Sequence, residues 1–346
     1  MSLLEEIFEQ PAVLSRLITS QRSHVMEIAS AIRAGDPRFV FLAARGTSDN
    51  AGRYANYLWG AFNRIPIALA TPSLFTFYQS PPELKGALVM GISQSGKSPD
   101  IVSVISEGKR QGMLTLAVTN APDSPLALKA DLHLDISAGS ELATAATKTY
   151  TAELMAIAML SAALDPAHPD RWEALDRVPG WVAQVLLLDS EIERLALRFR
   201  YMDRCVVLGR GYNYATAFEW SLKLKEMTYI TAEPYSSADF QHGPIAMVES
   251  GFPVMAAAPT GEVYGSLLSL LKNLREDKRA EMVIISDNPE ALRLAQSPIP
   301  LPQNIPEWLT PLVAIVPAQL FAYHLTRVKG FDTEQPRSIR KVTETQ

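Results

Sequence analysis

One cysteine and five histidines stand in 346 residues, and both scarcities restrict the chemistry open to the chain. Cys205 lies in the apolar run RCVVLGR with no second cysteine, so no disulfide can form within the chain. That suits a reducing compartment, and the apolar surroundings favour a buried strand thiol over a nucleophile. The sequence has no Cys/His cluster and no His-Glu-x-x-His spacing, so neither a metal nor another cofactor is expected. Positive charge is not in excess either. A net charge of −5 and a pI near 5.7 argue against a general nucleic-acid footprint, although a small anionic substrate needs only a local site. By inspection no apolar run approaches membrane-spanning length, and the acidic, amphipathic start MSLLEEIFEQ is unlike a signal peptide. A cytoplasmic protein with no membrane partner is the expectation.

What is present is the mixture of a globular protein, 47% hydrophobic and 20% charged, in a chain too long for one comfortable core. Residues 3–34 carry apolar side chains at helical spacing, broken by Pro11 and closed by Gly35, Asp36 and Pro37. An alternation follows: strands at 39–43, near 67–70, 87–92, 114–119 and 132–136, with helices at about 48–62, 99–111 and 144–164. Residues 166–202 start with prolines and continue as helix, the best candidate for a domain connection. The alternation restarts with strands at 205–208, 254–257 and 282–285 and helices near 214–229 and 263–278. Short apolar strands between helices predict an α/β fold, with parallel sheets covered on both faces and ligands at the strands' carboxyl ends. The two halves open alike, FLAARGTSDNAGRYANYLW and VVLGRGYNYATAFEWSLKL, as though one unit were duplicated. The division expected is a helical segment 1–35, a first domain 36–165, a connection 166–202, a second domain 203–330 and a tail 331–346. By composition alone that tail would fray.

Four stretches could carry chemistry. In EWSLKLKEMTYITAEPYSSADFQHGP, Glu219, Lys223 and Glu226 fall on one helix face ahead of a loop bearing His242. That pattern serves proton transfer or a solvated salt-bridge face equally well. In VMGISQSGKSPD a strand ends at Gly91-Ile92 and a helix begins after Ser98. Its Ser93, Gln94, Ser95 and Ser98 can cradle an anion at the helix start, or merely cap it. The same letters satisfy Gly-x-x-x-x-Gly-Lys-Ser, so a nucleotide P-loop is a rival. Against the rival, Ile92 reads as strand, and the nearest Walker-B-like run, MVIISD, lies in the other half of the chain. Gly209-Arg-Gly-Tyr-Asn-Tyr214 lacks the last small residue of a dinucleotide fingerprint. Gly46-Thr47-Ser48 and SAGSELATAATKT, with Ser140, Glu141, Thr144 and Thr147, add hydroxyls on the same sheet edge. Three such loops describe a phosphorylated-polyol site better than three unrelated caps.

Taken in order, GTS at 46, SQSGKS at 93, ELATAATKT at 141, LKLKE at 222, QHGP at 241 and QPRSIRK at 335 resemble the isomerase half of glucosamine-6-phosphate synthase, a pair of sugar isomerase (SIS) domains. Stand-alone SIS-type glucosamine-6-phosphate deaminases share this pattern. The resemblance implies two tandem flavodoxin-like SIS domains and a homodimer. It implies that Ser93, Gln94, Ser95 and Ser98, with Thr47, Ser48, Glu141 and Thr144, bind a phosphorylated amino sugar. Glu226 would move the proton between sugar carbons 1 and 2, with Lys223 beside it. His242 would open the ring, acting across the subunit interface, and Lys341 would form a Schiff base with the keto sugar.

Two departures qualify the resemblance. The chain is too short for the synthase's glutaminase domain, and Ala146 stands where the family usually has a serine. The expectation is therefore an amino-sugar phosphate isomerase acting as a deaminase, glucosamine 6-phosphate in, fructose 6-phosphate and ammonia out. The rivals are another phosphosugar isomerase, a sugar-amine deglycase, a non-catalytic phosphosugar sensor and, least favoured, the P-loop enzyme.

Overall fold

Pro11, a helix breaker by sequence, falls in the first turn of a helix, where its missing N–H costs nothing. The computed structural model describes residues 2–341. A short helix α1 (Leu3–Phe8) and a long helix α2 (Gln10–Gly35) lead into β1 (Phe39–Ala43), α3 (Thr47–Asn63), β2 (Ile67–Leu69), α4 (Ser73–Thr76), β3 (Ala87–Ile92), α5 (Pro99–Arg110), β4 (Thr115–Thr119), α6 (Pro125–Lys129), β5 (Leu132–Asp135) and α7 (Lys148–Leu164). The chain continues through α8 (Asp170–Leu186), α9 (Asp189–Leu197), β6 (Arg204–Gly209), α10 (Tyr214–Thr228), β7 (Thr231–Ser236), α11 (Ser237–Gln241), β8 (Pro253–Ala257), α12 (Tyr264–Glu276), β9 (Glu281–Ser286), α13 (Pro289–Leu294), β10 (Ser297–Pro300) and α14 (Thr310–Val328).

These elements form two compact units. The amino-terminal sheet unit holds residues 12–141 and 148–177 and takes back the chain at Arg340. The other unit holds the residues up to Pro11, a short piece Leu142–Thr147, and Val178–Ile339.

The amino-terminal unit is built on a five-stranded parallel sheet in the order β2-β1-β3-β4-β5. Strand β3, ALVMGI, is buried along its whole length, as expected of a central strand covered on both faces. Helices α3 and α7 are fastened side by side. Ser48, Trp59 and Asn63 of α3 donate to Glu153 Oε1 (2.8 Å), Ile157 O (3.2 Å) and Ser161 O (3.0 Å). The three acceptors stand four residues apart on α7 and so share one face. Helix α7 starts at Lys148, four residues later than its apolar pattern predicts, because Glu141 accepts from the Thr149 N–H (3.1 Å) and hydroxyl (2.8 Å) and holds the entry to the helix.

The second unit repeats the plan: its order, β10-β9-β8-β6-β7, is the same sequence of strands when each sheet is counted from its own first strand. Its two edge strands, TAEPYS and SPIP, are absent from the sequence-based list for a physical reason. Prolines cannot donate to a ladder and are confined to sheet edges, and these residues lack an apolar pattern. Helix α14 corrects a further expectation. The stretch Glu307–Val328 is long and apolar enough by length and composition to cross a membrane, yet 94% of its most apolar window is buried inside the protein. It is the central helix of its unit, packing Phe321 against Trp220 and Phe199 at centroid distances of 6.0 and 5.6 Å.

The tail does not fray over its described part. Glu334 accepts from the N–H of Leu3 (2.9 Å), and the Arg337 N–H donates to the Tyr229 hydroxyl (2.8 Å) with its guanidinium 4.0 Å above that ring. Residues 342–346, the end of the expected tail segment, lie outside the described residues.

Candidate functional site

The loop between β3 and α5 has the chemistry of an anion cradle. Two of its serine hydroxyls accept from loop amides, Ser93 Oγ from Gly96 N (3.2 Å) and Ser95 Oγ from Lys97 N (3.4 Å), which leaves their O–H groups to donate outward. Ser98, the residue before α5, is 8% exposed, and its hydroxyl has no hydrogen-bond partner among the described residues. A buried hydroxyl without a partner is costly, and a ligand oxygen would relieve it. The loop's curvature comes from Gly96, whose φ is +61° and where an added Cβ would stand 2.0 Å from Ser124 Oγ. Gly96→Ala is therefore expected to raise the KM for a phosphorylated substrate roughly 10-fold or more, from strain of about 1–3 kcal/mol in the loop. An unchanged KM would remove the loop from the binding site.

The P-loop reading fails on the same geometry. Gly91 and Ile92 belong to β3, and a Cβ at Gly91 would press on Ile101, Ile105 and Leu126 at 3.0–3.1 Å, so this glycine serves packing. Asp287, the Walker-B-like residue, accepts from the Thr260 N–H at 2.7 Å and from its hydroxyl.

The turn between β1 and α3 contributes differently from expectation. Gly46 takes φ +54°, and Thr47 and Ser48 open the helix, but the Ser48 hydroxyl is already donated to Glu153. Donation from Ser48 to a phosphate would require releasing Glu153. The residue before the glycine, Arg45, places Nη2 and Nε 2.7 and 3.2 Å from Asp100 Oδ2 in the first turn of α5. Neither member of this pair stands out in the sequence, since 55 residues separate them.

Glu141 and Thr144, taken from sequence as substrate ligands, are engaged with the chain itself. Glu141 Oε2 lies 2.5 Å from Lys341 Nζ in addition to its bonds with Thr149. The Thr144 hydroxyl donates to the Glu334 carbonyl (3.3 Å). Buried Glu6, which sequence reasoning passed over, accepts from the N–H groups of Leu142 and of Ala143 (3.3 Å) and so shapes the same loop.

In the other unit, α10 carries an ion-paired triad. Lys223 Nζ is 2.6 Å from Glu226 Oε2 and 3.4 Å from Glu219 Oε1. The Lys223 and Glu219 side chains are 1% and 0% exposed, whereas that of Glu226 is 25% exposed. Burial by itself would lower the Lys223 pKa, but Glu226 and Glu219 more than reverse this and raise it. Lys223 is thus a fixed cation, and Glu226 is the carboxylate that reaches solvent. His242 caps the short α11 on an exposed turn, and no hydrogen bond joins it to Glu226 among the described residues. Cys205 is buried in β6, and burial pushes its thiol pKa up, so it is no nucleophile.

Comparison with known proteins decides the family. The SIS domain profile matches residues 36–163 and 199–329. The chain belongs to the SIS family. Over 98% of its length it is 33% identical to the glutamine–fructose-6-phosphate aminotransferase (isomerizing) of Aquifex aeolicus strain VF5, of which the match covers 57%. The SIS chain thus spans little more than half the length of such relatives. Among solved structures, it superposes on the C-terminal domain of the Francisella tularensis glucosamine-fructose-6-phosphate aminotransferase with a TM-score of 0.87 at 28% identity, covering 96% of this chain and 97% of that one. A Thermotoga maritima glucosamine-6-phosphate deaminase shares the fold, with a TM-score of 0.80 at 20% identity over the full length of both chains. The two parallel sheets described above are two tandem SIS domains.

Proposed function

We propose that the protein is an amino-sugar phosphate isomerase that works as a deaminase, converting glucosamine 6-phosphate and water to fructose 6-phosphate and ammonia. The observation that carries the proposal is the α10 triad: a carboxylate open to solvent, held beside a buried lysine that remains charged. Such a carboxylate can take a proton from carbon 2 of an open-chain amino aldehyde, while the fixed ammonium favours the negative charge that develops. The hydroxyls of Ser93, Ser95 and Ser98 hold the phosphate ester in this scheme, with Gln94 beside them. Thr47 borders the turn that precedes α3.

The steps balance without an oxidant. Glu226 removes the C2 proton to give an enolamine, and a proton returned to C1 gives the 2-imine. Lys341 adds to that imine and expels ammonia, and water then frees the ketose and the lysine. The Lys341 amine has to shed its proton before it can add, and Glu141, 2.5 Å away, is the nearest acceptor. His242 is assigned to ring opening, supplied by the second subunit of a homodimer in the cytoplasm.

Glucosamine 6-phosphate, N-acetylglucosamine 6-phosphate and unphosphorylated glucosamine, each incubated with the protein and followed by NMR, test the substrate class. Consumption of glucosamine 6-phosphate with glucosamine left intact is expected. Equal consumption of the unphosphorylated sugar would overturn the assignment of the serine loop.

A further inference from the structure

We propose that Arg45 is a phosphate-recognition residue that completes the α5 cradle, offsetting Asp100 and presenting its remaining N–H donors to the substrate's phosphate. The proposal deepens the functional reading above and rests on it.

The argument begins from a conflict of charge. The N-terminus of a 12-residue helix attracts anions, and here Ser98 adds a buried hydroxyl with no partner at that point. Yet Asp100 stands in the same first turn with a side chain 4% exposed, and a carboxylate there would repel a phosphate dianion. Arg45 removes the conflict. Its Nε and Nη2 both bind Asp100 Oδ2, cancelling that charge, while Thr76 Oγ1 lies 3.5 Å from the other carboxylate oxygen. Used edge-on in this way, the planar guanidinium keeps its Nη1 side free of a hydrogen-bond partner among the described residues, with Asp49 near enough to interact with it electrostatically, and its side chain is 48% exposed. The cation is therefore fixed by one edge to the first turn of α5, two residues after Ser98, with its other edge making no hydrogen bond among the described residues. The backbone reinforces the placement, since Arg45 directly precedes Gly46, whose left-handed φ of +54° turns the chain into α3.

A surface ion pair would look similar in outline, and the test separates the two roles. Inorganic phosphate is titrated calorimetrically into the full chain as wild type, Arg45→Met, Arg45→Lys, Asp100→Asn and the double variant Arg45→Met/Asp100→Asn. The double variant carries no unpaired buried charge, so it keeps the cradle's fold while lacking the guanidinium. Phosphate affinity is expected to fall roughly 10- to 100-fold in Arg45→Met and in the double variant, and by less in Arg45→Lys. Asp100→Asn is expected to bind phosphate at least as tightly as wild type. In turnover, the double variant should raise the KM for the phosphosugar by a similar factor with kcat changed only a few-fold. A double variant that binds phosphate as tightly as Asp100→Asn would overturn the proposal. A wild type that binds phosphate through Arg45 but turns over no amino-sugar phosphate would instead overturn the functional reading and leave this one standing.

Discussion

Glu226→Gln is expected to lower kcat for glucosamine 6-phosphate by about 10²–10⁴-fold, the usual contribution of a positioned general base. The amide is nearly the same shape and can accept from Lys223 through its oxygen, and the replaced side chain is a quarter exposed, so the fold has little to lose. KM and thermal midpoint should stay close to wild type. This combination distinguishes a base from a structural partner, because loss of a structural contact would lower stability along with rate. A variant retaining kcat within about 3-fold would remove Glu226 from the chemistry, since general-base loss costs far more than that.

Lys223→Met carries the largest expected effect on stability. The ammonium is buried between two carboxylates, and its loss leaves Glu219, itself 0% exposed, without that cation. Removing one partner of a buried ion pair costs about 3–5 kcal/mol, because the remaining charge is stranded in a poorly solvating interior. A fall of the thermal midpoint on the order of 10 °C is expected for a chain of this size, measured by calorimetry. The second change Glu219→Gln should restore much of that stability but not activity, as the developing negative charge would still lack its ammonium. If Lys223→Met melted with the wild type, the raised pKa and the electrostatic role drawn from it would both be wrong.

The sequence revealed those parts of the molecule whose causes are local. Strands such as ALVMGI and EMVIIS are apolar because both their faces are covered, and the Ser-rich loop before Pro99 is a helix start that any reader of caps would find. The triad on α10 follows from residues three and four apart. What stayed hidden depends on distant partners. Edge strands β7 and β10 exist because a neighbouring strand accepts them despite their prolines. Glu6 shapes a loop 136 residues away, Arg45 meets Asp100 across 55 residues, and Glu334 meets the Leu3 N–H across 331. Glu141 and Thr144 show the converse. Their motif is legible, but their side chains bind Lys341, Thr149 and Glu334 within the chain. The tail read as frayed by composition because its tethers, Tyr229 and Glu141, lie far back in the sequence. Helix α14 misleads in a different way, since a helix buried all round has the composition of a membrane span.

The central claim is deamination of glucosamine 6-phosphate by proton transfer through Glu226. It is tested most directly by following ammonia and ketose phosphate together, in the same sample, with wild type and Glu226→Gln run side by side. One ammonia released for each fructose 6-phosphate formed by the wild type, with both products lost in the variant, is the result predicted. A wild type that releases no ammonia from glucosamine 6-phosphate, or the two products formed at undiminished rate by Glu226→Gln, would contradict the account.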